Sequence, residues 1–130
     1  MLDACVLYPA PLRDLLLSLA AAGLYRAKWS QQIHDEWTRN LLANRSDLDA
    51  ERVRITCNRM NAAVPDSLVT GYEDLIDSLQ LSDPDDRHVL AVAIRADADA
   101  ILTFNQRDFD EAELCPAKAI AFRHRDPTAR

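Results

Sequence analysis

Carboxylates recur in this sequence at places where a folded chain would bring them together. Asp3 follows the start of a predicted strand, and Asp86 lies in the first turn after a predicted helix start. Asn105 and Asp108 directly follow the apolar run 100–103. Because ligands of an open parallel sheet bind beyond the carboxyl ends of its strands, side chains at these places tend to converge. The pattern predicts an acidic cluster at that edge of a sheet.

Glu36 is a further acidic candidate, although it lies inside a predicted helix. It follows Ile33 by three residues and precedes Asn40 by four, so it borders an apolar stripe. Carboxylates near apolar surface are costly unless something compensates, and several together repel one another. Mg²⁺ and Mn²⁺ prefer such hard oxygen ligands. The alternative is that these acids cap helices or cover solvated faces, since the chain has 21 acidic residues.

The elements that must position these acids begin with three predicted helices. One runs from Pro9 to Ala22, with Gly23 at the position just after its end. Ser30 is the expected N-cap of the second helix and Ser46 of the third. The helical spacing that supports them is carried by Leu12, Leu15, Leu16 and Leu19, by Ile33, Trp37 and Leu41, and by Leu48, Val53, Cys57 and Met60.

The second half alternates between strand and helix patterns. Ser67–Thr70 is a short β-prone segment, and Tyr72–Leu79 is a predicted short helix. An Asp83 N-cap begins a helix over Pro84–Ala96. Ala100–Thr103 and Ala119–Phe122 are apolar runs typical of buried parallel strands. This alternation predicts a layered α/β fold.

Composition restricts the function classes. A length of 130 residues favours a single domain over 1–130, and no apolar run reaches the ~20 residues of a membrane span. The N-terminus carries no secretion pattern, so we expect a cytoplasmic protein without membrane contact. Three widely spaced cysteines predict free thiols. A net charge of −6 argues against a broad basic surface for nucleic acid, unless bound cations reverse the local sign.

Four segments in order resemble the PIN-domain family, and particularly its VapC-like bacterial toxin branch. They are Leu2–Pro9, Ser30–Leu41, Asp83–Ala91 and Thr103–Phe109. The first of these resembles the family's opening strand and its acid. The resemblance implies a PIN-like three-layer α/β/α fold, with a small and mostly parallel central sheet flanked by helices. Because few residues precede Asp3, we expect the first strand, like the C-terminal region, to be shorter than in the family.

The resemblance also implies the site. It makes Asp3, Glu36 and Asp86 the core catalytic and metal-binding acids, with Asp108 as the fourth, around Mg²⁺ or Mn²⁺. Asn105 stands where some relatives have an acid. Asn40, Arg87 and Asn105 are the predicted substrate-binding residues. The activity implied is hydrolysis of RNA phosphodiesters by metal-activated water.

Neighbouring residues compete for some of these roles. Asp86 is preferred over Asp85 because its spacing to Val89 and Leu90 points it along the buried helix face. Glu36 is preferred over Asp35 by the same reasoning.

Basic and histidine side chains near the acids are further candidates. Arg39, Arg87 and Arg107 could contact phosphates or be solvated helix residues. His88 could meet substrate or be a hydrogen-bonded structural residue. The remaining histidines, His34 and His124, are predicted to lie at the surface.

The biological role that the resemblance implies is the toxin of a type II toxin-antitoxin pair. RNA would be its substrate and an antitoxin protein its partner, and the protein could also form a homodimer. One alternative is a catalytically inactive PIN-like module that binds an antitoxin or RNA. Another is an acid-pocket phosphotransfer domain, for which Lys118 is the only late lysine.

Overall fold

Five α-helices precede two short strands in the part of the chain that the structure describes. The computed structural model describes residues 1–78, 87–104 and 118–121, the last four by their backbone alone. The helices are α1 (Ala4–Leu7), α2 (Ala10–Ala21), α3 (Gln31–Asn44), α4 (Ala50–Ala63) and α5 (Arg87–Arg95), with a 3-10 helix at Glu73–Ser78. The strands are β1 (Ala100–Thr103) and β2 (Lys118–Ala121).

The two strands pair in parallel, as their apolar sequences predict. Ala100 lies opposite Lys118 and Thr103 opposite Ala121. Leu2 extends the pairing through an isolated parallel bridge to Leu102, with Asp3 N donating to the Leu102 carbonyl at 3.1 Å. The expected opening strand is thus reduced to one bridged residue in the described chain, because α1 begins at Ala4.

A second parallel bridge joins Trp29 to Leu68, within the segment predicted to be β-prone. Trp29 N donates to the Ser67 carbonyl at 2.9 Å, and Val69 N donates to the Trp29 carbonyl at 2.8 Å. These parallel pairings and the helices around them make an α/β chain. The three-layer arrangement around a central sheet, and the single domain over 1–130, stay predictions.

The helix α2 spans nearly the predicted range, and α3 begins after the predicted cap. Gly23 follows the end of α2 with φ of +81°, a left-handed conformation that favours glycine. Ser30 caps α3, since its hydroxyl accepts a hydrogen bond from Ile33 N at 3.1 Å. Capping chemistry therefore fixes the helix that carries Glu36.

The predicted Ser46 cap of α4 is wrong. Asp49 is the N-cap, and its carboxylate accepts from Glu51 N at 3.0 Å. Ser46 lies instead in a turn that Leu48 N closes on the Arg45 carbonyl at 3.3 Å. Because Ser46 lies inside that turn, the N-cap comes three residues later, at Asp49, and the helix begins at Ala50.

The surface position predicted for His34 is also wrong. His34 is 1% exposed and lies between Trp29 and Trp37, with ring centroids 5.5 and 6.0 Å away. Its Nδ1 accepts from Trp37 Nε1 at 3.0 Å, and its Nε2 lies 3.0 Å from Asn61 Oδ1. Because α3 packs on both α1 and α4, its buried face is wider than a single stripe. His124 lies outside the described residues.

The described part of α5 is almost wholly buried from His88 to Ala93, and it packs against β1. Its predicted start at Pro84 lies outside the described residues. The predicted helix Tyr72–Leu79 is the 3-10 helix, and Tyr72 itself is buried in the core. No described helix is both long enough and apolar enough to cross a membrane.

Candidate active site

A cleft of about 450 Å³ opens between α1 and α3. Two carboxylates, those of Asp3 and Glu36, lie at one end of it. The other lining residues are Ala4, Cys5, Tyr8, Trp37, Asn40 and Asn44. The two helices that form the cleft also pack on each other.

Asp3 forms the buried floor of the cleft and is 5% exposed. Its Oδ1 caps α1 by accepting from Ala4 N at 2.8 Å, and its Oδ2 accepts from Thr103 Oγ1 at 2.9 Å. Burial, the largest effect, raises the pKa of the Asp3 carboxyl, and the nearby charge of Glu36 raises it further, whereas the two hydrogen bonds lower it. Asp3 is therefore held rigidly in a place that is unfavourable for its negative charge.

Cys5 packs beside the same carboxylate. Its Sγ lies 3.7 Å from Asp3 Oδ2 and 3.5 Å from Thr103 Oγ1, and it accepts from Phe104 N at 3.3 Å. Burial, followed by the charge of Asp3, raises the pKa of the Cys5 thiol to about 11. Burial thus favours the neutral thiol of Cys5, which is a weaker nucleophile than a thiolate. It ties the end of β1 to α1.

Glu36 projects from α3 and is 27% exposed at its side chain. Its Oε1 is hydrogen-bonded to Nε2 of His88, which is 3% exposed on α5. A carboxylate can only accept when ionised, so the imidazole donates from Nε2. The Nδ1 of His88 is buried and has no hydrogen-bond partner in the described part of the chain. The imidazole therefore orients one oxygen of Glu36 and leaves Oε2 without a partner among the described residues.

The structure brings some of the predicted site residues together. Asp3, Glu36 and Asn40 line one cleft, whereas Arg87 lies one residue before His88 at the start of the described α5. Arg87 Nε is buried, and no described residue forms a hydrogen bond with it. Asp35, the alternative to Glu36, is exposed and accepts from Gln31 Nε2 at 3.0 Å.

The remaining predictions fall outside the described residues. These are Asp85, Asp86, Asn105, Arg107 and Asp108. Within the described ranges, no group of three or more His, Cys, Asp or Glu side chains could hold a metal ion. Arg39 is exposed, and no described lysine or arginine forms an ion pair with Asp3 or Glu36.

Two residues of the site, Thr103 and Tyr8, are not singled out by the sequence analysis. Thr103 ends β1 and donates to Asp3, a role that a polar residue at the end of an apolar strand could have indicated. Tyr8 lines the far end of the cleft, where its hydroxyl accepts from Asn44 Nδ2 at 3.0 Å. The spacing of Glu36, Asn40 and Asn44 at intervals of four would have predicted a shared helix face.

Comparison with known proteins gives one match. The sequence model of the PIN domain family matches residues 1–107, which is most of the chain. Neither the curated proteins nor the solved structures contain a match. The matched residues include both acids of the cleft, the helices that carry them and β1. Members of this family are generally nucleases, and this chain belongs to the PIN domain family.

Proposed function

We propose that this protein is a metal-dependent endoribonuclease that hydrolyses RNA phosphodiesters. The observation that carries the proposal is the pair of carboxylates in one cleft. Asp3 is nearly fully buried, Glu36 is close enough to raise its pKa, and neither has a lysine or arginine partner among the described residues. Such a pair needs a cation to offset its repulsion and desolvation.

The donor chemistry fits Mg²⁺ or Mn²⁺. Asp3 Oδ1 accepts one hydrogen bond, from Ala4 N, and so keeps a lone pair, whereas Oδ2 accepts from both Thr103 Oγ1 and Cys5 Sγ. Glu36 keeps Oε2 without a described partner. Carboxylate oxygens are the ligands that these hard cations prefer. Asp86 and Asp108, which the family resemblance implies, would complete the ligand set.

The roles of the chain's own residues follow from their contacts. When bound, the metal would supply an activated water and neutralise charge on the phosphate. Asp3 and Glu36 would hold it, and the bonds from Thr103 and Ala4 keep Asp3 in one orientation. His88 would act as a positioning residue by fixing Glu36 Oε1.

Substrate would meet the other polar groups near this end of the cleft. Asn40 lines the cleft one helical turn beyond Glu36, where its amide could donate to a phosphate or ribose oxygen. Arg87 and Asn105 are the other proposed substrate-binding residues. Arg87 directly precedes His88, which is hydrogen-bonded to Glu36, and this closeness to the acids supports the proposal for Arg87.

The toxin role is a separate part of the proposal and rests on the VapC-like resemblance. It assigns the partners as an antitoxin protein and a second copy of this chain. Co-expression with the product of an adjacent small open reading frame tests it: a stable complex that abolishes RNA cleavage is expected. Full cleavage in the presence of that product would contradict the toxin role and leave the nuclease proposal standing.

A cleavage assay tests the nuclease proposal. Purified protein with Mn²⁺ or Mg²⁺ should cut a fluorescent single-stranded RNA, and excess chelator should stop it. Glu36→Gln should abolish cleavage because it removes a ligand charge. Asp35→Asn is the matched control, since Asp35 is the exposed neighbour on the same helix, and it should cleave like wild type. Chelator-resistant cleavage, or equal loss in both variants, would refute the mechanism. Metal-dependent binding of RNA without cleavage would favour the inactive binding module.

A further inference from the structure

The side chains that line the cleft away from the acids are uncharged and polar. Asn40 and Asn44 line it from α3, and Tyr8 lines it from the residue after α1. With the helical rise of 1.5 Å per residue, Asn40 lies about 6 Å and Asn44 about 12 Å beyond Glu36 along the axis. The cleft therefore extends further past the carboxylates than a single bound phosphate group requires.

The polar groups at this end are arranged as a donor and acceptor set. Asn44 Nδ2 donates one hydrogen to the Tyr8 hydroxyl at 3.0 Å. The second Nδ2 hydrogen and Oδ1 of Asn44 have no partner among the described residues, and the hydroxyl proton of Tyr8 is also available. Adjacent donor and acceptor atoms on one amide are what asparagine uses to contact a base edge.

Contacts of Arg13 connect the two helices that form the wall carrying these groups. Arg13 Nη1 donates to the carbonyls of Leu7 at 2.9 Å and Tyr8 at 3.2 Å, and its guanidinium carbon lies 4.6 Å from the centre of the Trp37 ring. Trp37 is 1% exposed, so its ring cannot stack on a bound base. The polar groups that this end of the cleft offers to a base are those of Tyr8, Asn40 and Asn44.

We infer that Tyr8 and Asn44 bind the nucleobase next to the scissile phosphate of a single-stranded RNA and give the enzyme a base preference. The inference rests on the proposed ribonuclease function. Single-stranded RNA presents its base edges to such side chains, whereas paired bases do not. A neutral amide and phenol suit an uncharged base, while the acids at the other end serve the phosphate through a cation. Asn44 supplies the paired contacts, and the bond to Tyr8 fixes the orientation of its amide.

Binding of short RNA probes tests this without requiring cleavage. Four fluorescent single-stranded RNAs, differing only in the central nucleotide, are titrated with the protein in Ca²⁺ and followed by anisotropy. Wild type should bind the best and worst probes with affinities at least tenfold apart, which corresponds to about 1.4 kcal/mol. Asn44→Ala should bring the four affinities within about twofold of one another. Tyr8→Phe, which keeps the aromatic ring and removes the hydroxyl, should reduce the spread of the four affinities.

Asn58→Ala is the matched control, because Asn58 is an exposed asparagine on α4 that does not line the cleft. It should keep the full spread. Equal affinities in wild type, no binding of any probe, or an undiminished spread in Asn44→Ala would each overturn the inference. If wild type cleaves RNA but binds the probes equally, only this inference fails. If it discriminates between probes but does not cleave, base recognition stands and the nuclease proposal fails.

Discussion

Replacing Thr103 with valine tests how the protein holds a carboxylate in its core. The two side chains are 0% and 5% exposed, and Thr103 Oγ1 donates to Asp3 Oδ2 at 2.9 Å. Valine keeps the shape and removes the hydroxyl. Because a hydrogen bond to a charged group contributes about 1.5–3 kcal/mol, Thr103→Val should lose roughly that much stability near neutral pH. With an unfolding entropy of about 2.1 cal/mol/K per residue, the melting temperature should fall by roughly 5–11 °C.

The loss should depend on pH in a specific direction. Burial raises the pKa of Asp3 in the folded state above the ordinary value of 3.8. The stability that protonated Asp3 contributes is therefore fully present below pH 3.8 and is lost as pH rises through the folded-state pKa. The Thr103 hydroxyl lowers the pKa of Asp3, and without it the folded pKa rises further. The difference between wild type and Thr103→Val should therefore be small in acid and largest near neutrality.

Urea unfolding followed by circular dichroism, with chelator present, measures both effects. Thr56→Val is the matched control, because the Thr56 hydroxyl donates to the Arg52 carbonyl on an exposed helix face at 3.1 Å. It should change stability by no more than about 0.5 kcal/mol. If both variants lose the same stability, or if the loss in Thr103→Val is greatest in acid, Asp3 is not held as an ionised group by this hydroxyl.

Three further predictions concern other parts of the fold and site. Burial lowers the pKa of His34 below 6.5, so the stability of the wild type should fall as pH drops through 6.5 towards the folded-state pKa. Urea unfolding at several pH values measures this fall. The variant His34→Phe should not show it and should be about 1–3 kcal/mol less stable than wild type near neutral pH. His88→Ala should weaken Mn²⁺ binding by about 10–100-fold in calorimetry, and His88→Gln, which can still donate to Glu36, should restore part of it; equal affinities would exclude a positioning role. Asp86→Asn should abolish RNA cleavage and Asp85→Asn should not, and equal loss would show that the wrong acid of the pair was assigned.

Local patterns predicted the helices well because their ends depend on adjacent residues. Ser30 and Gly23 act within a few residues of themselves, through one hydroxyl and one left-handed backbone position. Ser46 failed because a nearby turn competes for the same segment and the next acceptor, Asp49, caps instead. His34 failed because its burial depends on α4 and on Asn61, which comes 27 residues later.

The site was predictable only in part for the same reason. Spacing placed Glu36 and Asn40 on one face of α3, and both line the cleft. Nothing in the spacing indicates that Thr103 reaches Asp3 across 100 residues, or that His88 meets Glu36 from another helix. These contacts arise from packing of α1, α3, α5 and β1, which periodicity within one element cannot report.

The most direct test of the central claim is a thermal melt of three proteins, wild type, Asp3→Asn and Asp35→Asn, with and without Mn²⁺. At a hundredfold excess over the dissociation constant, a metal that binds only the folded state stabilises it by about 2.7 kcal/mol, or roughly 10 °C for a chain of this length. We predict that rise in wild type and in Asp35→Asn, and little or none in Asp3→Asn. Without metal, Asp3→Asn should melt no lower than wild type near neutral pH, because it removes a buried charge. No rise in wild type, or the same rise in all three proteins, would contradict the claim that Asp3 helps to form a metal site.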